Sequence, residues 1–225
     1  MINKAIAPTL TAGQKVYNIF KRCMDILCAL LGLVVLAVPF GILALVIHLD
    51  DRGPVFFRQE RIGCQQKPFT MLKFRTMRTD TPRNVPSHML ENPDQYMTRT
   101  GRFLRCTSMD ELPQLINILR GEMSLIGHRP ALPNEHRIND LRYTYGVHQL
   151  RPGLTGWAQI HGRDKVDLYT KAAMDREYLL HFGPIMDIRC FFGTFPVLLC
   201  EPKQPDTPAA PTSSSADKIE PGRNP

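Results

Sequence analysis

The 225-residue chain is long enough for one domain with appendages or two small ones, and its 43% hydrophobic content is ordinary in amount but concentrated in one long apolar block. A formal charge of +7 implies an anionic partner, for which nucleic acid, acidic lipid and sugar phosphates all qualify. The six cysteines, at 23, 28, 64, 106, 190 and 200, show neither Cys-x-x-Cys nor a Cys/His zinc spacing, which argues against a zinc module and for reduced thiols facing the cytosol.

Residues 1–20 are weakly patterned, with Lys4 and Lys15 as their only charges, and no small-residue cleavage site follows the apolar block, so a secretory signal is not expected. From Ile26 to Ile47 there are 22 residues without a formal charge, enough at about 1.5 Å per residue to cross a hydrocarbon core about 30 Å thick. Pro39 interrupts this run, removing one helical hydrogen bond, and predicts a bend between Val35 and Pro39. Basic residues flank both sides, Lys21 and Arg22 before and Arg52, Arg58, Arg61, Lys67, Lys73 and Arg75 after, so both ends prefer the cytoplasm. A helix that enters one leaflet, breaks at Pro39 and returns satisfies both signals; a kinked spanning helix is the alternative.

Val55 to Arg61 and Phe69 to Met77, separated by Gly63 to Lys67, predict a β-hairpin. Alternation along the second strand puts Lys73 and Arg75 on one face, where they can meet a diphosphate or lipid headgroups; a solvated face is the commoner explanation of such a pair. Residues 79–100, with Pro82, Pro86 and Pro93, read as a loop or short-helix connection. Arg99, Arg102 and Arg105 recur at three-residue spacing and are expected on one helical face.

The next stretch holds adjacent carboxylates, Asp110 and Glu111, at the start of a helical apolar pattern of Leu112, Leu115, Ile116 and Leu119. Ser108 and Asp110 are both good N-cap residues, and Ser108 to Glu111 has capping-box spacing, so a cap alone would explain these residues. Pro113 favours Asp110 as the cap, because proline is tolerated in a first turn. Free N–H groups and the positive end of the helix dipole would favour anions there.

Beyond it, residues 131–150 carry a helical pattern, Gly153 to Gly162 reads as a turn-rich loop with Trp157, and residues 164–182 resume a helix that includes Asp175, Arg176, Glu177 and Tyr178. Ile185 to Leu199, with Phe191, Phe192 and Phe195, predicts one or two short helices on a membrane surface, with a core helix as the alternative. Glu201 to Pro225, rich in Pro, Ser, Ala and Thr, is expected to be disordered.

Asp110-Glu111-Leu112-Pro113-Gln114-Leu115 followed by Met123-Ser124-Leu125-Ile126-Gly127-His128-Arg129-Pro130 resembles the bacterial sugar transferase family, the monotopic phosphoglycosyl transferases. The likeness continues in Lys73-Phe74-Arg75-Thr76-Met77, in Arg151-Pro152-Gly153-Leu154-Thr155-Gly156-Trp157-Ala158-Gln159 and in Lys21-Arg22 before the apolar run, and it covers roughly residues 20 to 195. Two departures are His128, where the family usually has proline, and Val38, where serine often precedes the helix-breaking proline.

The resemblance implies a mainly helical α+β fold: an N-terminal segment (1–20), a re-entrant membrane helix-break-helix (21–50) with Pro39 at the break and Lys21 and Arg22 as interface anchors, a compact cytosolic catalytic domain with a small hairpin and interfacial helices (51–200), and a tail (201–225). It also implies transfer of a sugar-1-phosphate from a UDP-sugar to undecaprenyl phosphate at the cytoplasmic face of the bacterial inner membrane. Asp110 would be the nucleophile, and Glu111 a base or metal orienter. Mg2+ would lie between this pair and the diphosphate, with Arg105, Arg129, Lys73 and Arg75 binding substrate. A nucleic-acid partner is not expected, since neither zinc spacing nor an RNP-type motif is present; a non-catalytic membrane scaffold is the other alternative, and self-association is left open.

Overall fold

The computed structural model describes residues 8–81, 93–162 and 166–200. The polar tail and most of the proline-bearing connection within 79–100 therefore lie outside the described residues.

The first helix, α1 (Ala12–Val35), starts at a complete capping box: Thr11 Oγ1 accepts from the Gln14 N–H, and Gln14 Oε1 accepts from the Thr11 N–H. It runs unbroken through residue 20, so Lys21 and Arg22 sit mid-helix, just ahead of the apolar run. The second, α2 (Ala37–Asp50), follows after the single residue Leu36, and the two axes are bent by 62°. Pro39 is the third residue of α2, where its ring opposes the Val35 carbonyl, and the bend falls within the expected interval. No single helix among the described residues is long and apolar enough to cross a membrane; the bent pair is, by length and composition.

Two strands, β1 (Phe56–Ile62) and β2 (Pro68–Phe74), form the expected antiparallel hairpin, in register from Phe56 opposite Phe74 to Ile62 opposite Pro68. Its turn is tight because Gln65 and Gln66 both take left-handed backbone angles. β2 stops at Phe74, short of the expected Met77. Arg75, the next residue, still donates its N–H to the Val55 carbonyl at 2.8 Å.

Helix α3 (Arg99–Cys106) is capped by Thr98, which accepts from the Gly101 N–H at 2.8 Å. A short 3-10 turn, Met109–Glu111, then leads into α4 (Gln114–Arg120), and Gly121, at φ 86°, closes that helix in the left-handed region. Asp110 does not cap α4. Pro113 occupies the cap position, and Ser108, at φ 57°, makes no side-chain cap, so the expected capping box is absent as well. The left-handed Ser108 reverses the chain after α3, and proline, lacking an N–H, fits a helix start that needs no donor there.

The remaining elements are β3 (Ser124–Ile126), α5 (His136–Thr144), β4 (Gly153–Thr155), the one-turn α6 (Trp157–Ile160), α7 (Leu168–Leu180) and α8 (Pro184–Cys200). β3 and β4 pair in parallel, with Ser124 opposite Gly153 and Ile126 opposite Thr155. This pairing replaces the turn-rich loop read from the sequence. It depends on glycine, because a Cβ on Gly153 or Gly156 would overlap the Gly127 backbone.

Apolar packing ties the bent helices to the rest. Ala29 of α1, Phe69 and Met71 of β2, and Leu115 and Ile118 of α4 share one buried cluster, whereas Ile47 of α2, Phe74 and Leu104 of α3 share another. A third joins Ile126, Leu150, Tyr178, Phe182, Met186 and Cys190, with Tyr17 of α1 against it. The opposite faces remain apolar and exposed: Ile19, Leu27, Leu31 and Val34 on α1, Ile42, Leu45 and Leu49 on α2, and Ile185, Ile188, Phe191, Phe192 and Phe195 on α8. So much exposed aliphatic and aromatic surface fits an interface with lipid better than one with water.

A polar clamp locks α1 to α8. Asp187 Oδ2 accepts from Lys21 Nζ at 2.7 Å and from the Tyr17 hydroxyl at 2.7 Å, while Oδ1 accepts from the Tyr178 hydroxyl at 2.6 Å. Lys21 is 8% exposed, and Arg22 donates to the Ile118 and Leu119 carbonyls at the end of α4. The two residues expected to anchor in headgroups are instead spent on internal contacts, because a buried ammonium must be paired and the last carbonyls of a helix need donors.

Candidate active site

The site is assembled from three segments far apart in sequence. Asp110 and Glu111 lie in the 3-10 turn at 4% and 8% exposure. Lys73, from β2, places Nζ 2.9 Å from Glu111 Oε1 and 4.0 Å from Asp110 Oδ2. Arg129, in the segment after β3, places Nη1 3.5 Å from the same Glu111 oxygen. Two adjacent buried carboxylates repel each other, and these cations offset that repulsion.

Local structure explains why Lys73 meets the pair. Asn117 of α4, fully buried, accepts from the Leu72 N–H at 3.0 Å and donates to the Thr70 carbonyl at 2.7 Å. Its amide thus satisfies the outer edge of β2 as a third strand would, and fixes α4 against the strand. The turn that precedes α4 is thereby held over the Lys73 side chain.

The expected basic residues divide. Lys73 and Arg129 reach the carboxylates. Arg75 turns to Asp51 instead, donating to its carbonyl and lying 3.6 Å from its carboxylate. Arg75 is buried, and its Nε and Nη1 have no hydrogen-bond partner among the described residues. Arg105 is half-buried and donates from Nε to Thr76 Oγ1 at 3.1 Å, while Arg99 and Arg102 are exposed, so α3 does not present three arginines on one inward face.

A recess opens beside the pair, lined by Arg61, Met71, Glu111, Gln114, Arg129 and Leu154. Arg61 and Gln114 were not singled out from the sequence. Arg61 stands opposite Phe69 in the hairpin register, with Gln59 opposite Met71, and residues directly opposite share a face. Alternation through the turn therefore held the signal for Arg61. For Gln114, at 3% exposure, it did not, since its placement depends on the 3-10 turn.

The Asp110 and Glu111 carboxylates are hard oxygen donors, and no third His, Cys, Asp or Glu joins them in a ligand cluster among the described residues. That donor set fits Mg2+, which takes one or two carboxylates and completes its shell with phosphate oxygens and water.

His128 is buried next to Arg129, and burial together with the charge of Arg142 holds its imidazole well below the usual histidine range. Its Nδ1 has no hydrogen-bond partner among the described residues, and its carbonyl accepts from the Gly153 N–H at 2.8 Å.

Fold and site together define a class: an α+β protein in which a bent apolar helix pair supports a buried carboxylate pair flanked by cations, suited to phosphate chemistry at an apolar boundary. The chain belongs to the bacterial sugar transferase family, which it matches over residues 16–201. It is 36% identical over 201 residues to the exopolysaccharide production protein ExoY of Sinorhizobium fredii, covering 83% of this chain and 88% of that one. It is 39% identical to the undecaprenyl-phosphate glucose phosphotransferase of Komagataeibacter xylinus and 39% identical to the UDP-glucose:undecaprenyl-phosphate glucose-1-phosphate transferase of Escherichia coli. These matches cover 77% and 80% of this chain but only 35% and 40% of those proteins.

Proposed function

We propose that the protein transfers a sugar-1-phosphate from a UDP-sugar to undecaprenyl phosphate, releasing UMP, as the initiating step of an exopolysaccharide, capsule, O-antigen or other glycoconjugate. The observation that carries this reading is the buried Asp110–Glu111 pair with Lys73 and Arg129 converging on it. The names of the glucose-phosphate transferring relatives support the reaction class, and that of an Aeromonas hydrophila relative, 33% identical and named for N-acetylgalactosamine, leaves the sugar to be determined.

In this reading an Asp110 carboxylate oxygen attacks the β-phosphorus of the donor, the bond to the UMP oxygen breaks, and UMP leaves. A phosphate oxygen of undecaprenyl phosphate then attacks the same phosphorus and releases Asp110. Arg129 and Lys73 offset charge on the phosphoryl oxygens, and Glu111 holds both cations in place or acts as base in the second step. Mg2+, held by Asp110 and Glu111, would supply charge neutralisation at the diphosphate. The α1–α2 pair, entering and leaving one leaflet at the cytoplasmic face of the inner membrane, would put the site at the depth of the lipid phosphate.

The test is UMP release by purified protein in detergent with Mg2+, undecaprenyl phosphate and a panel of UDP-sugars, for wild type and Asp110→Asn. Release that depends on lipid, metal and Asp110 is the expected result. Equal release by both proteins would remove Asp110 as nucleophile, and no release with any donor would remove the reaction.

A further inference from the structure

Arg129 reaches Glu111 from a segment with no regular secondary structure, so its aim depends on how that segment is tied down. Four consecutive carbonyls are satisfied from outside the segment, the last two by neighbouring residues of β1. The Gly153 N–H donates to the His128 carbonyl at 2.8 Å, Arg142 Nη1 to that of Arg129 at 2.8 Å, Arg61 Nη1 to that of Pro130 at 3.1 Å and the Ile62 N–H to that of Ala131 at 2.9 Å. Of these donors only Arg142 holds Arg129 itself.

Arg142 projects from α5 and is 5% exposed; Asp175 projects from α7 and is 2% exposed. Arg142 Nε and Nη2 both reach Asp175 Oδ2, at 2.8 and 2.7 Å, which leaves Nη1 to point at the Arg129 carbonyl. Burying such a pair costs desolvation on both sides; replacing it with apolar side chains of similar size is often neutral or stabilising. A pair that adds little to stability, and whose remaining donor ends on the backbone of a substrate-facing arginine, calls for another role. Burial pushes the Asp175 carboxyl above its usual range, and Arg142, with a smaller contribution from Lys171, opposes that rise.

We propose that the Arg142–Asp175 pair is the positioning device that aims Arg129 at the phosphoryl site: α7 fixes Asp175, Asp175 fixes the guanidinium plane, and the guanidinium fixes the Arg129 carbonyl. The turnover arm of its test rests on the transferase reading; the amide-exchange arm does not.

The decisive variant is Arg142→Met with Asp175→Leu, which removes both charges together and keeps the volume filled. Its melting temperature should equal or exceed that of wild type, amide exchange across residues 127–132 should accelerate, and kcat should fall about 10²-fold, the scale of a displacement near 1 Å. On an Arg129→Ala background the same two substitutions should cost nothing further, whereas independent effects would multiply. Wild-type kcat in the folded double variant, unchanged exchange in 127–132, or multiplication on the Arg129→Ala background would each overturn the proposal. If wild type turns over no donor, the transferase reading fails and exchange alone decides the positioning. If the double variant does not fold, Arg142→Lys takes its place: one ammonium can keep Asp175 but cannot also reach the Arg129 carbonyl, and the same three outcomes apply.

Discussion

Replacing Asn117 with alanine tests whether a single amide holds the catalytic turn over the hairpin. Asn117 is fully buried, and its side chain serves the Leu72 N–H and the Thr70 carbonyl, with a further bond from Nδ2 to Glu122 at 2.6 Å. Without it the buried Leu72 N–H is left unpaired, at a cost of about 1–3 kcal/mol, while Thr70, itself exposed, recovers water and loses only about 0.5–1.5 kcal/mol. The sum, about 1.5–4.5 kcal/mol, is a large share of the stability of an ordinary domain. At about 2–4 °C per kcal/mol for a chain of this size, the melting temperature should fall by roughly 3–18 °C. The assay is thermal unfolding in detergent, paired with UMP release well below the transition, where activity should fall further than the folded fraction does because the turn moves away from Lys73. A melting temperature within about 1 °C of wild type would refute the reasoning, because an orphaned buried N–H cannot be that inexpensive.

Three further outcomes follow from the geometry. Lys73→Met removes the cation nearest Glu111 and should lower kcat about 10²- to 10³-fold in the UMP-release assay, the scale for losing one preorganised electrostatic partner; a loss under tenfold would place Lys73 outside the chemistry. Asp187→Asn leaves the buried Lys21 with Asp25, 3.9 Å away, as its one carboxylate partner among the described residues, and should destabilise the fold by about 3–5 kcal/mol in denaturant titration; an unchanged midpoint would show that α1 and α8 are not locked by charge. His128 has its folded-state pKa depressed by burial and Arg142, so below about pH 6.5 the unfolded chain binds a proton that the folded chain does not. No penalty arises above pH 6.5, where both states are neutral; below it stability falls by up to about 1.4 kcal/mol per pH unit, and His128→Leu should flatten the slope between pH 6.5 and 5. Identical slopes for the two proteins would contradict it.

Sequence alone determined the features that rest on local pattern. The uncharged run with Pro39 specified a bent helix pair, because its ring lacks an N–H and opposes the carbonyl four residues back, here that of Val35. Alternation with a five-residue turn specified the hairpin, and the adjacency of Asp110 and Glu111 specified that two carboxylates would share one point. Tertiary structure decided which cations meet them. Lys73 and Glu111 are 38 residues apart and Arg129 is 18 beyond Glu111, and no periodicity spans such gaps. Lys73 arrives because Asn117 pins α4 to the edge of β2, and Arg129 because glycines at 127, 153 and 156 let two strands pair in parallel. Arg75 shares a motif with Lys73 and ends on a different carboxylate: Asp51, just after α2, lies 3.6 Å from its guanidinium, a neighbour that no alternation within the strand encodes.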